Sequence, residues 1–94
     1  GYTLLMANVN FATNPALVKK LPYDTLKDFQ PVSLLATSPS VLVVHPSFPA
    51  NSVKELIAVA QSKPGQLNYS SSGAGTTGHI AMELFKQMAR VDMV

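Results

Sequence analysis

Short apolar runs alternate with helix-like segments along this chain, and the alternation limits the folds that it can adopt. Val32 to Thr37 and Val41 to His45 are rich in β-branched residues and favour strands. Ser38-Pro39-Ser40 interrupts them, so we expect two strand segments with a kink or a change of direction. Strands that alternate with helices are typical of α/β proteins with a largely parallel sheet. The sequence predicts strands near residues 2–7, 32–36, 41–45 and 67–70, and the start of another at 91–94.

Two amphipathic helices are predicted in the second half of the chain. Ser52 and Glu55 form a capping box, in which the serine hydroxyl accepts from the N3 amide while the glutamate reaches back. Lys63-Pro64-Gly65 ends this helix, which we expect near residues 52–63. A second helix is expected near residues 77–89, because apolar residues recur there on one face. The two apolar faces comprise Val53, Leu56, Ile57 and Ala60, and then Ile80, Ala81, Leu84, Phe85 and Met88.

The first third of the chain is predicted to be less regular. Asn8 to Thr13 is small and polar and indicates a loop. Asn14-Pro15 is typical of an N-cap followed by the first helical residue, where the missing proline N–H is not needed. Pro22 would end this helix within two turns. Asp24 is placed to cap a further short turn over residues 25–29.

The composition argues against several classes of protein. Of the 94 residues, 47% are hydrophobic and 13% are charged, whereas about a quarter are charged in an average soluble domain. This imbalance suggests surfaces that are covered by further chain. The net charge is +2 without a basic cluster, so no nucleic-acid partner is expected. Cysteine is absent, which excludes disulfides and thiolate metal sites.

Apolar strands without neighbours would leave open sheet edges. We therefore expect self-association of this chain, by exchange of a segment between copies, or pairing with a remaining part of a larger fold.

The segment from Ser70 to His79 carries the clearest chemical signal. It follows a predicted strand and opens a predicted helix, and it contains five hydroxyl side chains and three glycines. Glycines allow backbone N–H groups to approach a ligand, and a helix N-terminus presents unpaired donors with a partial positive charge. Such a loop is suited to binding an anion. The alternative is that its serines and threonines only cap the helix.

The spacing Gly73-x-Gly75-x-x-Gly78 also matches the dinucleotide fingerprint, and this alternative places the chain in an oxidoreductase. A lone match is weak. Leu67 to Ser70 is more polar than the buried strand that precedes such a loop. Asp92 has roughly the spacing of the expected acidic residue, but it precedes the next strand instead of following it.

Other catalytic and metal sites find little support. His45 and His79 have no cysteine or paired carboxylates beside them that would make a metal site. The sequence lacks a Gly-x-Ser-x-Gly nucleophile elbow. Asp24 and Asp28 are spaced as capping or solvated groups and do not form an acid–base pair. We predict that the chain is not an enzyme.

Four parts of the sequence are distinctive in combination. They are Gly1 to Met6; Asn14-Pro15 with Lys20 to Asp24 and Lys27-Asp28-Phe29; Pro31 to Leu34 with Val41 to Val44; and Leu67-Asn68-Tyr69 with Ser72-Gly73-x-Gly75-Thr76, His79 and Glu83-Leu84-Phe85. Together they cover essentially the whole chain, and they resemble the Bug receptors of tripartite tricarboxylate transporters.

The resemblance implies a two-lobed periplasmic-binding-protein fold of type II. Residues 1–37 would belong to the first lobe, and residues 38–94 to the crossover and the start of the second lobe. Family members are much longer, so we expect a piece truncated at both ends. The implied function is to bind a small organic carboxylate between the lobes in the periplasm and to deliver it to membrane permease subunits. No catalysis and no cofactor are implied.

The resemblance also implies that loops at strand ends hold the carboxylate. The candidate loops are Asn8 to Thr13, Ser38 to Ser40 and Ser70 to Thr77. The first could equally be a plain surface turn, and in the second Pro39 could simply break a strand. The expected ligand-binding residues are Asn8, Asn10, Thr13, Ser38, Ser40, Ser70, Ser71, Ser72, Gly73, Gly75, Thr76, Thr77 and His79.

Overall fold

The computed structural model describes residues 1–94 and contains three helices and one parallel β-bridge. Helix α1 spans Val9–Leu17, α2 spans Val53–Ser62 and α3 spans Thr77–Ala89. The bridge joins Leu67 to Met93, and we call residues 65–69 and 92–94 the bridge strands. Three backbone hydrogen bonds hold them together: Gly65 N to Asp92 O at 3.0 Å, Val94 N to Leu67 O at 2.8 Å and Tyr69 N to Val94 O at 2.8 Å.

The core lies between the bridge strands and the last two helices. Ala60, Met82, Val91 and Met93 form its buried cluster, and Ile57, Leu67, Tyr69, Phe85 and Ala89 pack against it. One face of α2 packs on the strand pair, as the apolar periodicity predicts, whereas α3 packs through Met82, Phe85 and Ala89. Of the face predicted for α3, Ile80, Leu84 and Met88 remain exposed, so that part of the prediction is wrong. All seven buried residues of the chain lie within residues 50–94.

Helices α2 and α3 confirm the sequence-based predictions. The Ser52 hydroxyl accepts a hydrogen bond from the Glu55 amide at 3.2 Å, and the Glu55 carboxylate accepts from the amide of Asn51, one residue before the cap. Thr76 caps α3 in the same way, through the amide of His79. Arg90 is the C-cap residue of α3, and it adopts the left-handed conformation with φ of 54°.

Helix α1 corrects the prediction for the first third of the chain. Asn8 is its N-cap and accepts from the Asn10 amide, so the segment from Asn8 to Thr13, predicted to be a loop, is mostly helical. Pro15 lies inside the helix instead of at its start. Tertiary contacts hold this segment as a helix: Phe11 packs on Tyr23 and Phe29, and Asn10 and Thr13 donate to carbonyls of the glycine-rich loop. Pro15 then costs one interior hydrogen bond.

The short turn after α1 confirms its predicted cap. Asp24 Oδ1 accepts from the amides of Leu26 and Lys27, both at 3.0 Å. Phe11, Tyr23 and Phe29 pack their rings at centroid distances between 4.8 and 6.1 Å. This aromatic cluster fixes the turn against α1.

The predicted sheet is reduced to the single parallel bridge. Residues 2–7, 32–36 and 41–45 make no strand hydrogen bonds, and Leu4 and Leu34 remain 86% and 81% exposed. The strand predictions for these three runs are wrong for this structure. A strand needs a neighbour that pairs with its backbone, and no backbone hydrogen bond pairs these runs with another extended segment. The predicted strands at 67–70 and 91–94 pair with each other.

The chain is extended for its size. Its radius of gyration is 17.2 Å, whereas about 13 Å is expected for a compact domain of 100 residues. Its accessible surface is 7948 Å², whereas about 5,200 Å² is expected for a compact protein of this mass. Of the 21 large hydrophobic residues that are exposed, 11 lie in the three unpaired runs.

Candidate anion site

A polar pocket of about 410 Å³ lies between the start of α1 and the start of α3. None of its lining residues is charged, and most carry a hydroxyl or an amide group. The pocket is open to solvent, so these groups are accessible to a small ligand. Its lining comprises Asn8, Val9, Asn10, Ser40, Val41, Ser70, Ser71, Ser72, Thr76, Thr77 and Gly78.

The N-terminus of α3 contributes free backbone donors to this polar pocket. The Thr76 hydroxyl accepts from the His79 amide and donates to the Gly73 carbonyl at 2.6 Å. The amides of Thr77 and Gly78, the first two helical residues, have no acceptor within the protein. Unpaired amides at a helix start carry partial positive charge and are suited to an anion.

The N-terminus of α1 lines the same pocket. The Asn8 side-chain oxygen is used to cap the Asn10 amide, which leaves the Asn8 side-chain NH₂ group and the Val9 amide without acceptors. Two helix N-termini therefore lie at one uncharged cavity, and no carboxylate lines it to compete with a bound anion.

Two side chains of α1 hold the helix against the glycine-rich loop. Asn10 Nδ2 donates to the Ala74 carbonyl at 3.1 Å, and Thr13 Oγ1 donates to the Gly75 carbonyl at 2.9 Å. They lie three residues apart and therefore on one face of the helix. These donors are already used within the protein, so Asn10 and Thr13 assemble the pocket and do not offer those hydrogens to a ligand.

Gly75 is the point of closest approach between the loop and α1. Its φ is +80°, and a Cβ atom there would lie 2.9 Å from Thr13 Oγ1 and 3.0 Å from Leu17 Cδ1. Its amide donates to His79 Nδ1 at 3.0 Å. The close packing of the loop against α1 therefore requires glycine at position 75. His79 holds the loop by accepting the Gly75 amide at Nδ1.

The structure brings together most, but not all, of the residues that the sequence indicated. Thr13, Gly73, Gly75 and His79 lie behind the pocket in the scaffold, and Ser38 does not line it. Val9, Val41 and Gly78 also line it and were not among the expected ligand-binding residues. Val9 could have been found from the sequence, because Asn8 is a typical N-cap residue and Val9 follows it as the first residue of the helix. The predicted residues that line the pocket are Asn8, Asn10, Ser40, Ser70, Ser71, Ser72, Thr76 and Thr77.

A surface network ties α3 to the first bridge strand just before the loop. The Tyr69 hydroxyl donates to Glu83 Oε1 at 2.6 Å, and Lys86 Nζ lies 3.0 Å from the same oxygen. The hydrogen bond from Tyr69, followed by that from Lys86, lowers the pKa of Glu83. The hydrogen bond to Glu83 raises the pKa of Tyr69 and that of Lys86. The network fixes the start of the loop relative to the helix that follows it.

Other site types find no support in the described geometry. Histidine, aspartate and glutamate side chains form no group of three that could hold a metal ion. None of the helices has the length and apolar character needed to cross a membrane.

Comparison with known families identifies the chain. All of residues 1–94 match the family described as the tripartite tricarboxylate transporter family receptor. The chain belongs to this receptor family. Membership agrees with the resemblance drawn from the sequence, and the comparisons give no support to the nucleotide-binding alternative.

Curated relatives of this receptor family are similar over most of the chain. A UPF0065 protein of Bordetella pertussis is 45% identical over 89 residues, which are 92% of this chain and 27% of that relative. The protein BugT of the same organism is 34% identical over 88 residues, again 92% of this chain and 27% of the relative. A UPF0065 protein of a Pseudomonas species is 34% identical over 94 residues, 100% of this chain and 28% of the relative.

The chain thus spans about a quarter of the length of the curated relatives that it matches, as a fragment of such a receptor does. No solved structure matches it.

Proposed function

We propose that this chain is the part of a solute-binding receptor that carries one wall of a site for a small organic carboxylate. In the parent receptor, residues 1–37 belong to one lobe of a type II periplasmic-binding-protein fold, and residues 38–94 form the crossover and start the second lobe. The ligand binds between the lobes in the periplasm and passes to a membrane permease. Family membership supports the receptor role, and the geometry of the polar pocket supports the ligand class.

One observation carries the ligand class: two helix N-termini face an uncharged pocket rich in hydroxyl groups. Each terminus favours an anion by about 0.3–1 kcal/mol through its dipole. Hydrogen bonds to a charged group contribute about 1.5–3 kcal/mol each. The amides of Thr77, Gly78 and Val9 and the hydroxyl groups of Ser70 and Ser72 are the donors that we assign to the carboxylate.

The open side of the pocket sets the expected affinity. A charged ligand that stays in contact with water gains less from each donor than a ligand enclosed between two lobes, because water screens the interaction. We therefore expect weak binding by the 94-residue chain and tighter binding by a full-length receptor that contains it.

A substitution of Thr77 by proline tests the site without disturbing the helix. Thr77 is the first residue of α3, where proline is tolerated, and Thr76 before it has φ of −72° and ψ of 163°, which suits a residue that precedes proline. Thr77→Pro removes one amide N–H and one hydroxyl group. We expect the Kd for succinate to rise by about 10- to 100-fold, from the loss of one charge-assisted hydrogen bond.

Backbone amide shifts of the isotope-labelled chain measure this binding even when it is weak. Succinate should shift the amides of Val9, Thr77 and Gly78, whereas neutral succinamide should not. Val53→Pro is the matched control, because Val53 is the first residue of α2 after an extended N-cap and does not line the polar pocket. Equal responses to succinate and succinamide, or unaltered binding by Thr77→Pro, would exclude this carboxylate site. A response to NAD alone would favour the nucleotide alternative.

A further inference from the structure

One peptide group of the glycine-rich loop is held from both sides, by α3 and by α1. Its N–H, from Gly75, donates to His79 Nδ1 at 3.0 Å. Its carbonyl, from Ala74, accepts from Asn10 Nδ2 at 3.1 Å. We call this group the Ala74–Gly75 peptide. Because the N–H and the carbonyl of a trans peptide point in opposite directions, one orientation of the peptide plane satisfies both bonds, and a reversal of the plane would break both.

The His79 ring can hold the Ala74–Gly75 peptide in this way only while Nδ1 carries no proton. A neutral imidazole has one donor nitrogen and one acceptor nitrogen, whereas a protonated imidazole has two donors. With a proton on Nδ1, two N–H groups would face each other, and the hydrogen bond from Gly75 would be lost. Imidazole side chains gain this proton within roughly pH 5–8, where few other side chains change charge.

Few charged groups surround the His79 ring. Helix α1 and residues 70–76 of the loop carry no titratable side chain, and the ring forms no salt bridge. On α3 itself, Glu83 lies one turn further along, where it binds Tyr69 and Lys86. Its carboxylate favours a charged ring, whereas the partial positive charge at the start of α3 disfavours it. The hydrogen bond from Gly75 adds a third influence, which favours the neutral ring.

We propose that His79 positions the glycine-rich loop as a proton-operated switch: the neutral ring holds the Ala74–Gly75 peptide in its present orientation, and protonation of Nδ1 flips it. The flipped peptide presents the Ala74 carbonyl to the Nδ1–H group, so the ring keeps a hydrogen bond while Asn10 loses its acceptor. The flip changes ψ of Ala74 and φ of Gly75 and leaves their Cα atoms in place. Gly75 now has φ of +80°, and glycine adopts φ of either sign without a steric penalty.

The switch changes both the docking of α1 and the donors of the polar pocket. Two hydrogen bonds join α1 to the loop, and the flip removes the one from Asn10. The other, from Thr13, goes to the Gly75 carbonyl, which belongs to the next peptide, and it remains. Asn10 lines the polar pocket, so its released NH₂ group becomes a further donor there. The importance of this donor for a carboxylate rests on the proposed function, whereas the switch is measured without ligand, so either can fail without the other.

An NMR titration of the isotope-labelled 94-residue chain without ligand tests the switch. At about pH 8 the ring of His79 should carry its proton on Nε2 and none on Nδ1. As the pH falls from about 8 to 5, the signals of the Gly75 amide and of the Asn10 side-chain NH₂ group should shift together, with the same midpoint as the ring. A proton on Nδ1 at the start of the titration would refute the proposal. So would a Gly75 or Asn10 signal that does not follow the ring.

His79→Asn is the matched variant, because asparagine Oδ1 takes the place of Nδ1 along the side chain, accepts a hydrogen bond and does not titrate. In this variant the Gly75 and Asn10 signals should stay at their high-pH positions throughout. His45→Asn is the control for the other histidine, whose exposed ring bonds only to Ser47, and it should leave the titration of Gly75 unchanged. A titration that persisted in His79→Asn, or that vanished in His45→Asn, would show that His79 does not operate the peptide.

Discussion

Gly75 decides whether α1 can lie against the glycine-rich loop, because it combines a positive φ with contacts that leave no room for a side chain. Gly75→Ala should destabilise the chain by roughly 1–3 kcal/mol through overpacking against Thr13 and Leu17 and through left-handed strain. Urea unfolding measures the loss. Gly78→Ala is the paired control, since its Cβ would meet only Ser71 Cβ at 3.6 Å and alanine favours a helix. If both variants were equally stable, Gly75 would not be the contact that holds α1.

The charges around Tyr69 and Glu83 predict a dependence of stability on pH. The folded state lowers the pKa of Glu83 below its ordinary value of 4.5, so this contribution is present above pH 4.5 and is lost as the pH falls through the folded pKa. The pKa of Tyr69 is raised above 10.0, so its contribution is present below pH 10.0 and is lost as the pH rises through the folded pKa. The Tm difference between the native chain and Glu83→Gln should therefore disappear in acid.

An NMR titration of the Tyr69 ring provides the independent measurement. In Glu83→Gln its pKa should move back toward 10.0, because the largest cause of the rise is the hydrogen bond to the Glu83 carboxylate. An unchanged Tyr69 titration would mean that this bond does not form in solution.

At the scale of the elements, the C-cap residue of α3 is poorly suited to the left-handed backbone conformation that it adopts. Arg90 has φ of 54°, which costs a residue with a Cβ about 1–2 kcal/mol and costs glycine little. Arg90→Gly should therefore raise the free energy of unfolding by roughly 1 kcal/mol. Arg90→Ala retains the strain and should leave it nearly unchanged. Chemical denaturation of the three proteins distinguishes the effect of the backbone from that of the lost charge.

Local signals explain which elements the sequence could predict. The capping box at Ser52, the cap at Thr76 and the apolar spacing of α2 and α3 act within a few residues, and these two helices form where they were expected. For α1 the sequence offers two possible N-caps, Asn8 and Asn14, and the helix in the structure starts after Asn8. Strands could not be predicted equally well, because a strand such as residues 41–45 also depends on partners that are distant in sequence or absent from this chain.

At the scale of the whole molecule, the sequence predicted the local part of the polar pocket but not the part that depends on contacts between distant residues. The hydroxyl-rich loop was predicted because its residues are contiguous. The contribution of Val9 was missed because it required α1 to lie beside α3, and the bonds that bring them together, from Asn10 and Thr13, span 64 and 62 residues of sequence. Composition did indicate an excess of apolar surface, and 11 of the 21 exposed large hydrophobic residues lie in the three unpaired runs.

Those two long-range hydrogen bonds also order the events of folding. Contacts within residues 50–94, such as the bridge between Leu67 and Met93, close shorter loops than the docking of α1, which closes a loop of 62 residues and has the larger entropic cost. We therefore expect the pocket to be the last part of the chain to assemble and the first to open. A ligand that contacts the starts of both α1 and α3 would cross-link this loop, because its contacts with one of the two helices would have to break before the pocket opens.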